Sequence, residues 1–264
     1  MKNARLLLTA ILASSMLFVS CEKDDSKTQS PTEITTKASF VGMGQKHNDA
    51  LAAIYNELVQ NPNLTKDEMT SIGNRVGANF LTDSGLSNSF YDPTFVKNTQ
   101  VTDFTSATEL YNNLSPELTA ELKILEATLD KYVDAERISE FLPYTRGIIN
   151  NVPQTLRTEQ DRLAWQHAVD VMGYSSDYWS RNVLDWLKLN PEFDESVLYT
   201  ARGFWGKLWD FIKPTVKADG VGAATGAVGG FFTGGPAGAG AGALGGGLGA
   251  SAGNIVTRVW DWIF

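Results

Sequence analysis

The sequence predicts an all-α fold: a helical bundle followed by a Gly/Ala-rich helical hairpin. Two observations predict the bundle. Apolar residues recur at spacings of three and four through the middle of the chain, and helix caps punctuate them. A third observation predicts the hairpin. Gly222, Gly226, Gly230, Gly234, Gly238, Gly242 and Gly246 stand at a strict four-residue interval, and Gly245, Gly249 and Gly253 form a second, overlapping row. Four residues is nearly one helical turn, so such a row is a bare stripe on a helix. Glycine is a poor helix former in water. The stripe therefore suggests a segment built to pack in lipid or against copies of itself, as small-residue faces do between membrane helices.

Four segments are expected: a signal peptide over 1–20, a flexible tether over 21–39, a helical domain over 40–200 and the hairpin over 201–264. Lys2 and Arg5 precede an apolar stretch from Leu6 to Val19, which is short for a spanning helix. It ends in Leu17-Phe18-Val19-Ser20-Cys21. This resembles a lipobox, the cleavage site of bacterial lipoproteins, although Phe18 stands where Leu is usual. Cys21 is the only cysteine in the chain, so no intramolecular disulfide can form. The resemblance implies that Cys21 carries the diacylglyceryl group and, with its palmitate-type acyl chains, anchors the mature chain in the outer membrane. Glu22-Lys23-Asp24-Asp25 resembles the surface-export signal of Bacteroidota lipoproteins, which implies surface exposure. The stretch to Ser39 is polar and contains Pro31, as a tether would.

The helical domain is expected to start near Phe40. Leu51, Ile54, Tyr55, Leu58 and Val59 mark one buried face, closed by Asn61-Pro62-Asn63. Thr65 and Glu68 form a capping-box pattern ahead of Met69, Ile72, Val76 and Phe80. Thr82 to Ser106 is polar and predicts a long loop with at most one short helix. Ser115-Pro116 predicts an N-cap with Pro at the first helical position, before Leu118, Leu122, Leu125, Leu129 and Tyr132. Ile138 to Ile149 predicts a helix that Pro143 bends or splits. A last helix starts near Thr158 and runs past Trp186, with Gly173 as a weak point.

Gly44-Gln45-Lys46-His47-Asn48 and Ser175-Ser176-Asp177-Tyr178-Trp179 resemble the G-x-x-H-N and S-x-x-Y-W segments of uncharacterised Bacteroidota lipoproteins. The likeness implies an extracytoplasmic helical protein and transfers no activity.

Chemistry-bearing motifs are sparse. His47 and His167 are the only histidines, and both fall at helical spacing among apolar residues, so each reads as a capping or core histidine. There is no zinc or calcium signature, no nucleophile elbow and no second cysteine. No enzyme activity, metal or cofactor is expected. Tyr174, Tyr178, Trp179 and Trp186 read as core aromatics, with a ligand cleft as the other reading. The net charge of −8 and pI near 4.8 argue against nucleic acid as a partner.

Gly220 to Thr257 is 38 residues without a charge, with 15 Gly and nine Ala. One helix of that length would be about 57 Å long, nearly twice the hydrocarbon core of a bilayer. Gly234-Gly235-Pro236 at its middle predicts a turn and hence a hairpin. Lys207-Leu208-Trp209-Asp210-Phe211-Ile212 before the run and Arg258-Val259-Trp260-Asp261-Trp262-Ile263 after it match in chemical type. Trp205, Trp209, Phe211, Trp260 and Trp262 are therefore expected in one membrane-interface belt at the hairpin base. The tail resembles the Gly/Ala-rich segments of small pore-forming bacteriocins. The expected partners are membrane lipid, other copies through the glycine stripe, and an envelope protein. One functional expectation is a lipoprotein with a membrane-permeabilising tail. The alternative is a non-toxic structural or interaction lipoprotein whose hairpin is a second anchor. A flexible linker, or a hairpin buried in the helical domain, is the plainer reading of the same run.

Overall fold

A computed structural model describes residues 42–91, 111–132, 135–193 and 204–261. The signal peptide, Cys21, the tether, most of the expected loop before Ser106, and Trp262 lie outside these. The described residues are helical, with no strand among them. In chain order they form α1 (Met43–Val59), α2 (Lys66–Asp83), a short 3-10 turn (Asn88–Phe90), α3 (Pro116–Leu129), α4 (Ala135–Ile138), α5 (Phe141–Ile148), α6 (Glu159–Leu187) and α7 (Phe204–Asp261).

The caps are as expected. Thr65 and Glu68 close a full capping box, with Thr65 N–H donating to Glu68 Oε2 at 2.8 Å and Glu68 N–H donating back to Thr65 Oγ1. Ser115 and Thr158 accept from the N–H groups of Leu118 and Asp161 and start α3 and α6. Pro143 does not split a helix. The break falls before it, and Pro143 sits in the first turn of α5, where a missing N–H costs no hydrogen bond.

α1 buries Leu51, Ile54 and Leu58 as expected, whereas Val59 at its end is 50% exposed. α2 differs. Met69 is buried, but Ile72, Val76 and Phe80 are only partly so, and Gly73, Gly77 and Leu81 face inward instead. The face turns because α2 lies against the hairpin and the turn that follows. A Cβ on Gly73 would meet the Ala252 Cβ at 3.9 Å, and one on Gly77 would press into the Tyr91 ring.

α7 is the expected hairpin. Gly234 (φ −146°, ψ 17°) and Gly235 (φ 60°, ψ −149°) leave helical geometry and fold arm 204–233 back on arm 236–261. The φ of Gly235 is a conformation that side chains disfavour. The stripe is symmetric about this turn, so the six glycines flanking Gly234 meet in pairs: Gly222 faces Gly246, Gly226 faces Gly242, and Gly230 faces Gly238. A Cβ on Gly222 would lie 2.6 Å from the Gly246 carbonyl oxygen, and those on Gly226 and Gly230 would fall closer still to their partners' oxygens. The expectation that the stripe packs against other copies meets a different geometry here: its bare faces are occupied by each other within one chain.

The hairpin is also the centre of the bundle. Its arms pack mainly on α6, then on α2 and α1. Ala223, Ala227, Ala239, Leu244, Leu248 and Ile255 are buried. No described helix is long and apolar enough to cross a membrane. At the hairpin base, Pro214 lacks the N–H that would bond Asp210 O, and the Arg258 guanidinium of the other arm donates to that carbonyl at 3.1 Å. Arg258 also lies over the Phe211 ring, 5.3 Å from its centroid. Burial lowers the pKa of Arg258 to about 10, so it stays charged at neutral pH.

Candidate functional site

The two short motifs and the tail converge on one buried polar knot, centred on Asp219 in the first arm. Ser175 Oγ donates to Asp219 Oδ2 at 2.5 Å and Trp179 Nε1 at 3.3 Å, while Ser251 Oγ of the second arm donates to Oδ1. His47 of α1 places Nε2 2.9 Å from Ser251 Oγ and 3.7 Å from Asp219 Oδ2. Its Nδ1 is 3.3 Å from Asn48 Oδ1, and Asn48 Nδ2 donates to the Tyr174 carbonyl at 2.8 Å. His47, Ser175, Asp219 and Ser251 are each 0% exposed.

Asn48 uses its NH2 on Tyr174, so its oxygen faces His47 Nδ1, while Ser251 Oγ faces Nε2. Complete burial pushes the Asp219 carboxyl up, while the His47 charge, the two hydroxyls and the indole N–H pull it back.

Ser251, His47 and Asp219 are residue types of a hydrolytic relay, but their arrangement differs. A relay puts the acid on the ring nitrogen remote from the nucleophile and leaves the serine open to substrate. Here acid and serine share the Nε2 side, and all three are sealed. The knot is a fastening. It ties α1 and α6 to both arms at one level of the hairpin.

A second carboxylate holds the start of α1. Asp170 Oδ2 accepts from Gly44 N–H at 2.8 Å, at a helix end whose preceding residue, Gly42, offers no side-chain cap. A Cβ on Gly44 would lie 2.5 Å from Asp170 O, so only glycine lets α1 approach α6 this closely. Burial pushes Asp170 up to about 6 from 3.8, against the pull of Gly44, Met43 and Gly42 N–H and the Arg146 charge. A carboxyl raised by folding contributes stability that is full below its unfolded pKa and lost as pH rises through its folded pKa. The stability of the parent relative to Asp170→Asn should therefore fall by about 2–3 kcal/mol from about pH 4 to about pH 7. Denaturant titrations of both proteins across that range check this, and parallel pH profiles would refute it.

The remaining candidate residues lie as follows. His167 is fully buried, and burial lowers its pKa to about 3, so it is neutral. Trp179 and Trp186 are in the core, and Trp186 Nε1 donates to Tyr178 OH at 3.0 Å. Trp209 and Phe211, expected at a membrane interface, are 3% and 2% exposed within the protein core. The first arm begins at Phe204, so this flank is continuous with the buried helix and packs where the arm packs. The side chains of Trp205 and Trp260 lie outside the described residues, as does Trp262. No cluster of metal-ligating side chains occurs among the described residues. A cleft of about 350 Å³ lies between the α1–α2 turn and the end of α6, with Tyr55, Leu64 and Met69 among its apolar lining and Asp185 and Lys188 at hand.

Asp219 and Ser251 stand out in the sequence only by position: the acid that opens the uncharged run, and the one serine within it. Searches against protein-family models, curated proteins and solved structures return no match for this chain.

Proposed function

We propose that this chain is a cell-envelope lipoprotein, anchored through Cys21, that stores an apolar glycine hairpin inside a helical sheath and delivers it to a membrane. The observation that carries this reading is how the hairpin is held. Its backbones are zipped to each other, glycine on glycine. The sheath grips it through side chains, the Asp219 knot and one close backbone approach, Phe90 on Gly245. The hairpin is thus a preformed unit, able to leave the sheath with its own contacts intact. Asp219 and Ser251 would travel together, shedding only His47, Ser175 and Trp179. Membrane permeabilisation by several such hairpins is the extension of this reading.

A second reading is a structural or interaction lipoprotein in which the hairpin remains the core. The completeness of the knot favours it, as does the lack of a described helix apolar enough to cross a membrane. The test is flotation and dye release with the mature chain carrying Cys21→Ser and vesicles of phosphatidylethanolamine with phosphatidylglycerol. Release supports the permeabilising reading. Flotation without release supports membrane association alone, and neither leaves the structural reading. A chain cut before the hairpin is no control, because it would lack its core.

A further inference from the structure

We propose that the hairpin meets lipid tip first, through Phe232, and not through the aromatic flanks at its base. This rests on the membrane reading above and adds the end that makes contact. Phe232 is 78% exposed, more than the other exposed large hydrophobics among the described residues, Val59 at 50% and Ile124 at 60%. It stands on the turn of the hairpin, beside exposed Gly229, Thr233, Gly234 and Ala237. A Cβ built on Gly229, Gly234 or Gly235 would meet nothing within 4 Å. The turn is therefore open to its surroundings at these positions. Its one hydroxyl, on Thr233, is turned back onto the Gly230 carbonyl at 2.9 Å. An uncharged turn bearing an aromatic ring suits the headgroup–acyl boundary of a bilayer.

The base has the opposite character. Of its aromatics with described side chains, Trp209 and Phe211 are buried. Asp210 is exposed there, and Lys213 and Lys217 pair with Asp130 at 3.6 and 3.0 Å. Direction matters energetically, because an ionised side chain is costly in the apolar layer. Residues 220–257 carry no charge, and Asp219 and Arg258 bracket them. Entry by the tip leads with this uncharged run and leaves both ions on the entry side. Entry by the base leads with Asp210, Asp219 and Arg258.

The test uses the mature Cys21→Ser chain with an environment-sensitive fluorophore on Ala237→Cys at the tip or on Asp210→Cys at the base. The probe is the same phosphatidylethanolamine–phosphatidylglycerol vesicle, carrying a lipid-attached quencher. The tip label should shift to the blue and be quenched while the base label remains in water. Phe232→Ser, whose melting temperature should match the parent's, should lower the vesicle partition constant roughly tenfold. Quenching at the base label first, or undiminished binding by Phe232→Ser, overturns the tip-first assignment and leaves the membrane reading standing. A parent chain that does not float overturns that reading, and this inference with it.

Discussion

Gly226→Ala is expected to lower stability by about 3 kcal/mol, a fall of roughly 6–12 °C in melting temperature for a chain of this size. The sign is the informative part. In an exposed helix the same exchange stabilises by up to about 1 kcal/mol, because alanine is the better helix former. At Gly226 the added methyl would run into the carbonyl group of Gly242 and the Cα of Gly246. Both are backbone atoms and cannot swing aside, so the arms must separate and the close packing along the stripe is lost. Gly229 is the internal control. It lies on the same arm, is exposed, and has nothing within 4 Å of a built Cβ. Gly229→Ala should therefore raise stability by about 0.5–1 kcal/mol. Thermal melts of the two variants separate a packed glycine zipper from a run of merely tolerated glycines. If both exchanges stabilise, the arms are not zipped.

Asp219→Ala should cost about 3–5 kcal/mol, because it strands several buried donors at about 1–3 kcal/mol each. Ser175, Ser251 and Trp179 would each lose an acceptor in a site closed to water, and the His47 ring would lose the carboxylate beside it. Because the knot joins α1, α6 and both arms, the damage should be local. Amide exchange should rise first in α1 and the two arms, ahead of α3, which contacts the hairpin little. Uniform acceleration across all helices would mean that the knot contributes to general stability and is not the fastening.

Much of the fold was legible in the sequence, for physical reasons. Caps are local, and Thr65–Glu68, Ser115 and Thr158 act as their residue types require. The hairpin turn was legible because Gly-Gly-Pro is both a helix stop and a source of positive φ. The face of α2 was not. Apolar spacing favoured Ile72, Val76 and Phe80, but a helix laid on a glycine hairpin turns its small residues inward. The knot was not legible either. Its members lie as far apart as His47 and Ser251, and no local rule links a histidine in the first helix to a serine in the last. His47, Ser175 and Trp179 of the two short motifs meet in this cluster, while Gly44 meets Asp170. Likewise, Trp209 and Phe211 carry the composition of an interfacial belt, yet the helix they belong to buries them.

A hairpin that is stored and then released should be held back by a reversible cross-link to its sheath. A Cβ on Gly73 would stand 3.9 Å from the Ala252 Cβ, within the span of a disulfide. With Cys21→Ser removing the native thiol, Gly73→Cys/Ala252→Cys would tie the second arm to α2. Flotation with vesicles is then measured with the same protein oxidised and reduced. The oxidised chain should stay unbound, and reductant should restore binding to the level of the parent. Equal binding in the two states would show that the hairpin does not leave its sheath.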